Sequence, residues 1–450
     1  FNQDGTDLEK IPKWGEHYPF AFPMQFSPDS TLLFVHHPAY VKPILATTGP
    51  KDDFGYRFLI PWIGNVVQEI YMCKRLFTPG FHYDILKPHM KLIADSANVM
   101  LDKWEVYART GQTFELFQHV SLTLDSIMKC AFSCQRNCQR SNPYIKAVYE
   151  LCNLVSLWFC IFPYHNDIVF HMSPHGYRYR NACKIAHSHT DEVIRQRKEI
   201  LNKKNQDNVP EKRCLDFLDI LLCARVCRHH YILVSFIVDD ETIDEQQQGL
   251  SDEAIRAEVD SQCTVESYYF LCMVDRVKVV FEKHWTSSSR VCQMKPSEQR
   301  WTLMFEGHDT TASGISWIFY SMACNPDHQQ KCREEIQQVM GKDPIEWEDL
   351  SKIPYTTMCI KESLRLYPPV PEIGQMLSKP ITFFDGRTVP AGCVIGISIY
   401  GIHHNPSVWG NPKVFDPLRF LPENTAKSSP HAIVPFSAGP SLGTGTESAL

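Results

Sequence analysis

Residues 353–371 read "IPYTTMCIKESLRLYPPVP". Glu362 and Arg365 stand three residues apart, so on a helix they share one face. On a solvated face such a pair contributes only about 0.2–0.5 kcal/mol, and that reading fits the spacing as well as any other. The context points inward. Leu364 and Leu366 flank the pair, and Pro368 and Pro369 stop the helix just beyond it. A buried Glu/Arg pair is costly and is kept for the geometry it fixes more than for net stability.

Two further stretches ask for partners of the same kind. "VFDPLRFLPEN" (414–424) surrounds Arg419 with Phe415, Pro417 and Phe420. Arg419 fits either a surface turn or a third place in a network with Glu362 and Arg365. "FEGHDTTASGISW" (305–317) puts Gly307, Thr310, Thr311, Ser313 and Gly314, all poor helix formers, into a helical frame. Thr and Ser can bond back to carbonyls one turn earlier and bend or open the ladder. An opened ladder would leave a groove, with Asp309 and Thr310 supplying a carboxyl and a hydroxyl. The same residues also fit a helix thinned for close packing. Glu306, if it faces a core, must be neutral, paired or covalently used.

The chain has 450 residues, 44% apolar and 21% charged, which is ordinary globular composition. Lys and Arg number 45 against 51 Asp and Glu, a net charge of −6. No basic run that could follow phosphates appears, which argues against nucleic acid as a partner. The seventeen cysteines are scattered and odd in number. Cys130, Cys134 and Cys138 lack a completing ligand set for zinc, so buried reduced thiols are expected. The longest apolar run, Leu154 to Phe162, is too short to cross a bilayer. The chain opens at Phe1, so a membrane anchor is expected either upstream of it or not at all.

Helical periods dominate. Leu86, Met90, Ile93, Ala97, Met100 and Trp104 alternate steps of four and three as a helix stripe. Asn142-Pro143 and Asn325-Pro326 each offer a cap followed by proline at the first helical position. "TLLFVHHP" reads as a strand near the start. Late in the chain, Asp385-Gly386 marks a hairpin turn. Ile395, Ile397 and Ile399 then alternate with Gly396 and Ser398, as a half-buried strand should. The fold class expected is mainly α with a small β part drawn from both ends of the chain. Residues 224–249 and 261–301 carry neither caps nor a sustained period and are expected to be inserted segments in one domain spanning 1–450.

Taken in order, these motifs resemble the heme-thiolate monooxygenases, the cytochromes P-450. The order is G-x-D-T, E-x-x-R, P-x-R-F and then "FSAG" at 436–439. "LFTPGFHYDILKP", "LDSIMKCAFS" and "IPYTTMCIKESLRLYPPVP" are similar to family four, whose members typically hydroxylate fatty acids and related lipids near the chain end. The resemblance implies the cytochrome P-450 fold, a heme cofactor, a lipid substrate, and electrons from NADPH through a reductase. It also implies attachment to the endoplasmic reticulum membrane on its cytosolic face. By the same resemblance, Asp309 and Thr310 are the acid–alcohol pair that delivers protons at iron. Gly307 leaves room over the heme, and Glu306 matches a glutamate that can be esterified to a heme methyl. Glu362, Arg365 and Arg419 form the network behind the heme, and Phe436 and Gly439 belong to the ligand loop.

The departures from the family pattern are specific. Where the family loop continues R-N-C-I-G, this chain reads Ser441, Leu442, Gly443 and Thr444. Gly443 occupies the register of the cysteine that ligates iron, so no metal ligand is expected from this loop, and the family's C-terminal part is expected to be missing. The arginines that bind the heme propionates align with Lys74 and Gln375. Lys74 keeps a charge without the forked geometry of arginine. An inactive copy, or a degenerate relative that binds lipid or heme weakly, is the expectation for this chain.

Overall fold

The computed structural model describes residues 7–27, 30–47, 57–58, 60–63, 87, 89–114, 116, 123, 125–126, 129, 143–206, 225–227, 230–232, 248–249, 311–340 and 347–437. The first part of the chain carries α1 (Asp7–His17), β1 (Ala21–Ser27), β2 (Ser30–Val35), α2 (Pro38–Leu45) and the short α3 (Ile60–Ile63). Four helices follow: α4 (His89–Thr110), α5 (Pro143–Cys160), α6 (Asp167–Met172) and α7 (Pro174–Gln206). Three short strands, β3 (Arg225–Cys227), β4 (His230–Ile232) and β5 (Gln248–Gly249), precede α8 (Thr311–Cys324), α9 (Pro326–Met340) and α10 (Pro354–Leu366). The chain continues through β6 (Glu372–Met376), β7 (Ile381–Thr382), β8 (Thr388–Val389), β9 (Val394–Ser398), α11 (Ile399–His403) and α12 (Pro422–Thr425). This is the mainly helical fold with a small β part that the periods predict.

One four-stranded sheet joins the two ends of the chain, in the order β1-β2-β9-β6. β1 and β2 pair antiparallel, and β2 runs parallel to β9 with Phe34 opposite Gly396 and Val35 opposite Ile397. β6 closes the other edge of β9 antiparallel, with Gln375 opposite Ile395. Val35, Ile44, Ile395 and Ile397 are all fully buried in the main hydrophobic cluster beside this sheet. β9 differs from the alternating pattern in one respect. Gly396 and Ser398 are buried as well as Ile395 and Ile397. An ideal Cβ on Gly396 would come within 2.7 Å of Leu32 and 2.9 Å of Glu372. Gly396 is small because a neighbour's side chain fills its face, and Ile399 already belongs to the next helix. Cys393 lies one residue before this strand, its carbonyl accepting from Leu377.

The hairpin turn falls where Asp385-Gly386 marks it. Gly386 has φ +81°, and the Asp385 carboxylate accepts from the Arg387 amide at 3.2 Å. The first of the expected inserts, 224–249, is not uniformly irregular, because β3, β4 and β5 pair antiparallel within it. The second, 261–301, lies outside the described residues, as do Cys130, Cys134 and Cys138. In α4 the buried positions are Ser96 and Met100, so the buried stripe is narrower than the apolar pattern. Pro143 and Pro326 open their helices as expected. Asn325, however, does not cap α9 with its side chain. Its amide turns back and donates to the Ser321 carbonyl at 2.8 Å, closing α8 instead.

α8 packs against α10 through small residues. An ideal Cβ on Gly314 would lie 3.5 Å from Pro369 and 3.7 Å from Leu364. Ser321 and Ser363 share a hydrogen bond of 3.0 Å across the same seam. Trp317 stacks on Tyr367 with ring centroids 4.3 Å apart. Ser316 bonds back to the Ala312 carbonyl at 2.7 Å, the carbonyl contact that Ser and Thr in this segment favour. For residues 311–324, close packing accounts for the small side chains.

Candidate functional site

The strongest polar constellation is built on α10. Pro354 starts the helix, and Tyr367 ends it with its amide bonded to the Ser363 carbonyl. Glu362 and Arg365 therefore sit within its last two turns, and both side chains are wholly inaccessible to solvent. Arg365 grips the carboxylate with two prongs, Nε to Oε2 and Nη2 to Oε1, each 2.7 Å. Its remaining donors reach the carbonyls of His403 and Pro412, both at 2.8 Å, and of Val414 at 3.3 Å. The guanidinium also lies 5.2 Å over the Trp409 ring. Arg is the one side chain whose planar fork can satisfy a carboxylate and several carbonyls at once.

Arg419 completes the cluster. It sits on a short 3-10 turn, Pro417–Phe420, capped by the Asp416 side chain. Its Nε lies 3.5 Å from Glu362 Oε1, and its Nη2 donates to the Asn411 carbonyl at 3.0 Å. Asn411 adopts φ +49°, a left-handed turn that asparagine tolerates and that serves to aim this carbonyl. The Asp416 amide donates to Glu362 Oε1 at 2.9 Å. One carboxylate thus ties α10 to the loop 411–420. Glu362 and Arg365 share a face as their spacing predicts, and of the two readings open for Arg419 the structure gives the place beside Glu362.

The cluster reaches further through a residue that sequence reasoning passed over. The carbonyl of His403 accepts from Arg365, and its ring Nε2 accepts from the Val434 amide at 2.9 Å. His403 is fully buried, and burial holds its imidazole well below the usual histidine range. A neutral ring accepting at Nε2 carries its proton on Nδ1. Val434 begins the turn that leads to Phe436, where Ser437 donates back to the Val434 carbonyl and takes φ +69°. Sequence offered one weak signal for His403, its place in the dense polar run His403-His404-Asn405 after a buried strand.

At the sheet, Gln375 is 6% exposed and its amide donates to Thr47 Oγ1 at 3.0 Å. The position aligned with a propionate arginine is therefore neutral and already engaged with α2's C-terminal turn. Glu306, Gly307, Asp309 and Thr310 lie outside the described residues, as do Lys74, Gly439 and Gly443. Among the described residues, no group of three or more His, Cys, Asp or Glu could hold a metal ion. No described helix is long and apolar enough to cross a membrane. Against the heme that the resemblance implies, Gln375 offers a propionate no charge.

Comparison with known proteins places this geometry. Residues 25–264 and 293–444 match the family described as Cytochrome P-450. The chain is 43% identical over 449 residues to Cytochrome P-450 4A6 of Oryctolagus cuniculus, covering 97% of this chain and 76% of that protein. It is 44% identical over 448 residues to Cytochrome P-450 4A24 of Sus scrofa, with 97% and 77% covered. It is 41% identical over 443 residues to Cytochrome P-450 4B1 of Rattus norvegicus, with 96% and 75% covered.

Proposed function

The chain belongs to the cytochrome P-450 family of heme monooxygenases, and on that premise we propose both its substrate class and its state. The substrates are fatty acids or related lipids, hydroxylated near the chain end. The state is that of a copy lacking the sulfur its iron would need. The family placement rests on the Glu362–Arg365–Arg419 cluster, in register with the family's E-x-x-R and P-x-R-F elements, and the substrate class on the similarity to the relatives above. In this reading the cluster is a brace. It holds α10 against the 411–420 loop and, through His403 and Val434, sets the backbone that leads to Phe436 and Gly439.

A thiolate donates electron density through iron and so favours O–O cleavage. Gly443 has no such donor, so no oxygen-activating step is assigned to the chain as it stands. Asp309 and Thr310 remain the proposed acid–alcohol pair. Glu306 and Gly307 remain the proposed heme-side residues of the same helix, and Lys74 keeps one cation for a propionate. NADPH, through a reductase, is the proposed electron source, with the cytosolic face of the endoplasmic reticulum membrane as the site of action.

Gly443 and Gln375 together favour a second reading, a non-catalytic relative that binds lipid or heme weakly. Turnover separates the two. The chain as it stands, supplied with hemin, an NADPH-dependent reductase and a medium-chain fatty acid, is expected to yield no hydroxylated product. A variant carrying Ser441→Arg, Leu442→Asn and Gly443→Cys is expected to yield product hydroxylated near the chain end. A restored, heme-loaded variant that leaves fatty acids untouched would overturn the substrate class and leave the second reading standing.

A further inference from the structure

We propose that Ser429 is a phosphorylation site for a proline-directed serine/threonine kinase, and that the phosphate tightens the turn leading into Val434. Ser27, Thr78, Ser173 and Ser429 each stand directly before a proline. Thr78 lies outside the described residues. Ser27 is tied into β1 opposite Ser30. Ser173 is half-buried, and its hydroxyl donates to the Phe170 carbonyl at 2.6 Å while accepting from the Gly176 amide at 3.1 Å. Ser429 differs on both counts. Every residue from Pro422 through Pro430 is exposed. Within that run, Thr425 and Ser428 donate their hydroxyl protons to the carbonyls of Leu421 and Asn424. Ser429 Oγ accepts from the His431 amide at 3.3 Å and donates to no described residue, so its proton is available to a kinase's catalytic base.

Transfer needs the acceptor segment to open locally into the kinase's cleft. Among the described residues, the hydrogen bonds of 425–431 all end within 421–432. Ala426 donates to Pro422, Lys427 to Asn424, Ser428 to Thr425, and Ala432 to Ser429. A surface segment bonded only to itself opens without breaking the core. Ser429 Oγ then attacks the γ-phosphorus of ATP, the bond to the bridging oxygen breaks, ADP leaves, and the hydroxyl proton passes to the kinase's base. On reclosing, a phosphate of about −1.5 to −2 charge replaces the hydroxyl as acceptor for the His431 amide. A charge-assisted bond of this kind is about twice as strong as a neutral one. The Ala432 amide closes the same turn on the Ser429 carbonyl at 2.9 Å. The turn leads to Ala432 and Val434, both buried, and His403 holds the Val434 amide.

The test incubates the full chain with ATP and a purified mitogen-activated protein kinase, beside a standard protein substrate in the same tube. Phosphate is then located by mass spectrometry of the peptides. It is expected on Ser429, absent from that position in Ser429→Ala, and largely lost in Pro430→Ala, which keeps the hydroxyl. Hydrogen exchange then compares the phosphorylated and unmodified chains, and the His431 amide is expected to exchange several-fold more slowly with the phosphate in place. An unmodified Ser429 beside a phosphorylated standard substrate overturns the site. Phosphate on Ser429 that persists undiminished in Pro430→Ala overturns the kinase class. Unchanged exchange at His431 overturns the tightening of the turn.

Discussion

Arg365 donates from Nη1 to the main-chain carbonyl of His403 at 2.8 Å, and this contact connects the buried ion pair to the turn before Phe436. The ring of the same histidine accepts from Val434. A local feature of one helix, Glu362 and Arg365 a single turn apart, therefore governs backbone that lies some seventy residues further on. The cost of burying three charges is met by geometry. Hydrogen-bond partners surround Glu362 and Arg365, while Arg419 Nε lies 3.5 Å from the shared carboxylate without a hydrogen bond of its own, and removal of the carboxylate strands both guanidiniums.

The first prediction concerns that dependence. Arg365→Lys keeps the charge but cannot reach two carboxylate oxygens and three carbonyls together. A loss of about 3–5 kcal/mol in unfolding free energy is expected, as for breaking a buried ion pair. Glu362→Gln should cost a comparable amount because it leaves Arg365 and Arg419 without an anion. Urea denaturation followed by circular dichroism measures both. A loss below 1 kcal/mol for either would show that the cluster is not a brace.

The second concerns pH. Burial lowers His36, His403 and His404 in the folded chain, with His404 lowered to about 3. Once unfolded, each histidine titrates near 6.5. Below that value the unfolded chain binds more protons than the folded one, so stability falls as pH falls. The loss begins near pH 6.5 and for His404 continues to about pH 3. Each fully buried histidine should contribute about 2 kcal/mol of loss between pH 7 and pH 5. Denaturation midpoints across that window should fall steadily, and His404→Gln should flatten the slope. A flat profile in the unsubstituted chain would refute the assignment of neutral buried rings.

The third concerns the seam between α8 and α10. The Cβ positions around Gly314 lie at ordinary contact distance from Pro369 and Leu364. Gly314→Ala should be tolerated, gaining up to about 1 kcal/mol from helix propensity. Gly314→Leu has nowhere to go and should cost about 1–3 kcal/mol through overpacking. Thermal melts of the two variants should move in opposite directions. Equal and small shifts would mean the seam is loose.

The ion cluster was the most legible part of the molecule because its chemistry is local. Glu362 and Arg365 share a face by helical period alone, and the prolines after them mark where the helix stops. The sheet was legible in outline, since Val35 and Ile397 sit in runs with strand character at opposite ends of the chain. What escaped reading depended on neighbours distant in sequence. Gly396 and Ser398 look polar-facing until Leu32 and Glu372 close over one of them. Asn325 reads as a cap for α9, yet the Ser321 carbonyl of the preceding helix claims its amide. His403 carries no periodic signal, because both of its partners come from elsewhere in the fold.

The most direct measurement is the carbon-monoxide difference spectrum of the reduced, hemin-supplied chain beside its Gly443→Cys variant. The chain as it stands should show no thiolate–iron band, and the variant should gain one, since by the proposed reading only the sulfur is lacking. A thiolate band from the unsubstituted chain would mean that another cysteine reaches the iron, and would contradict the reading of Gly443 as the missing ligand.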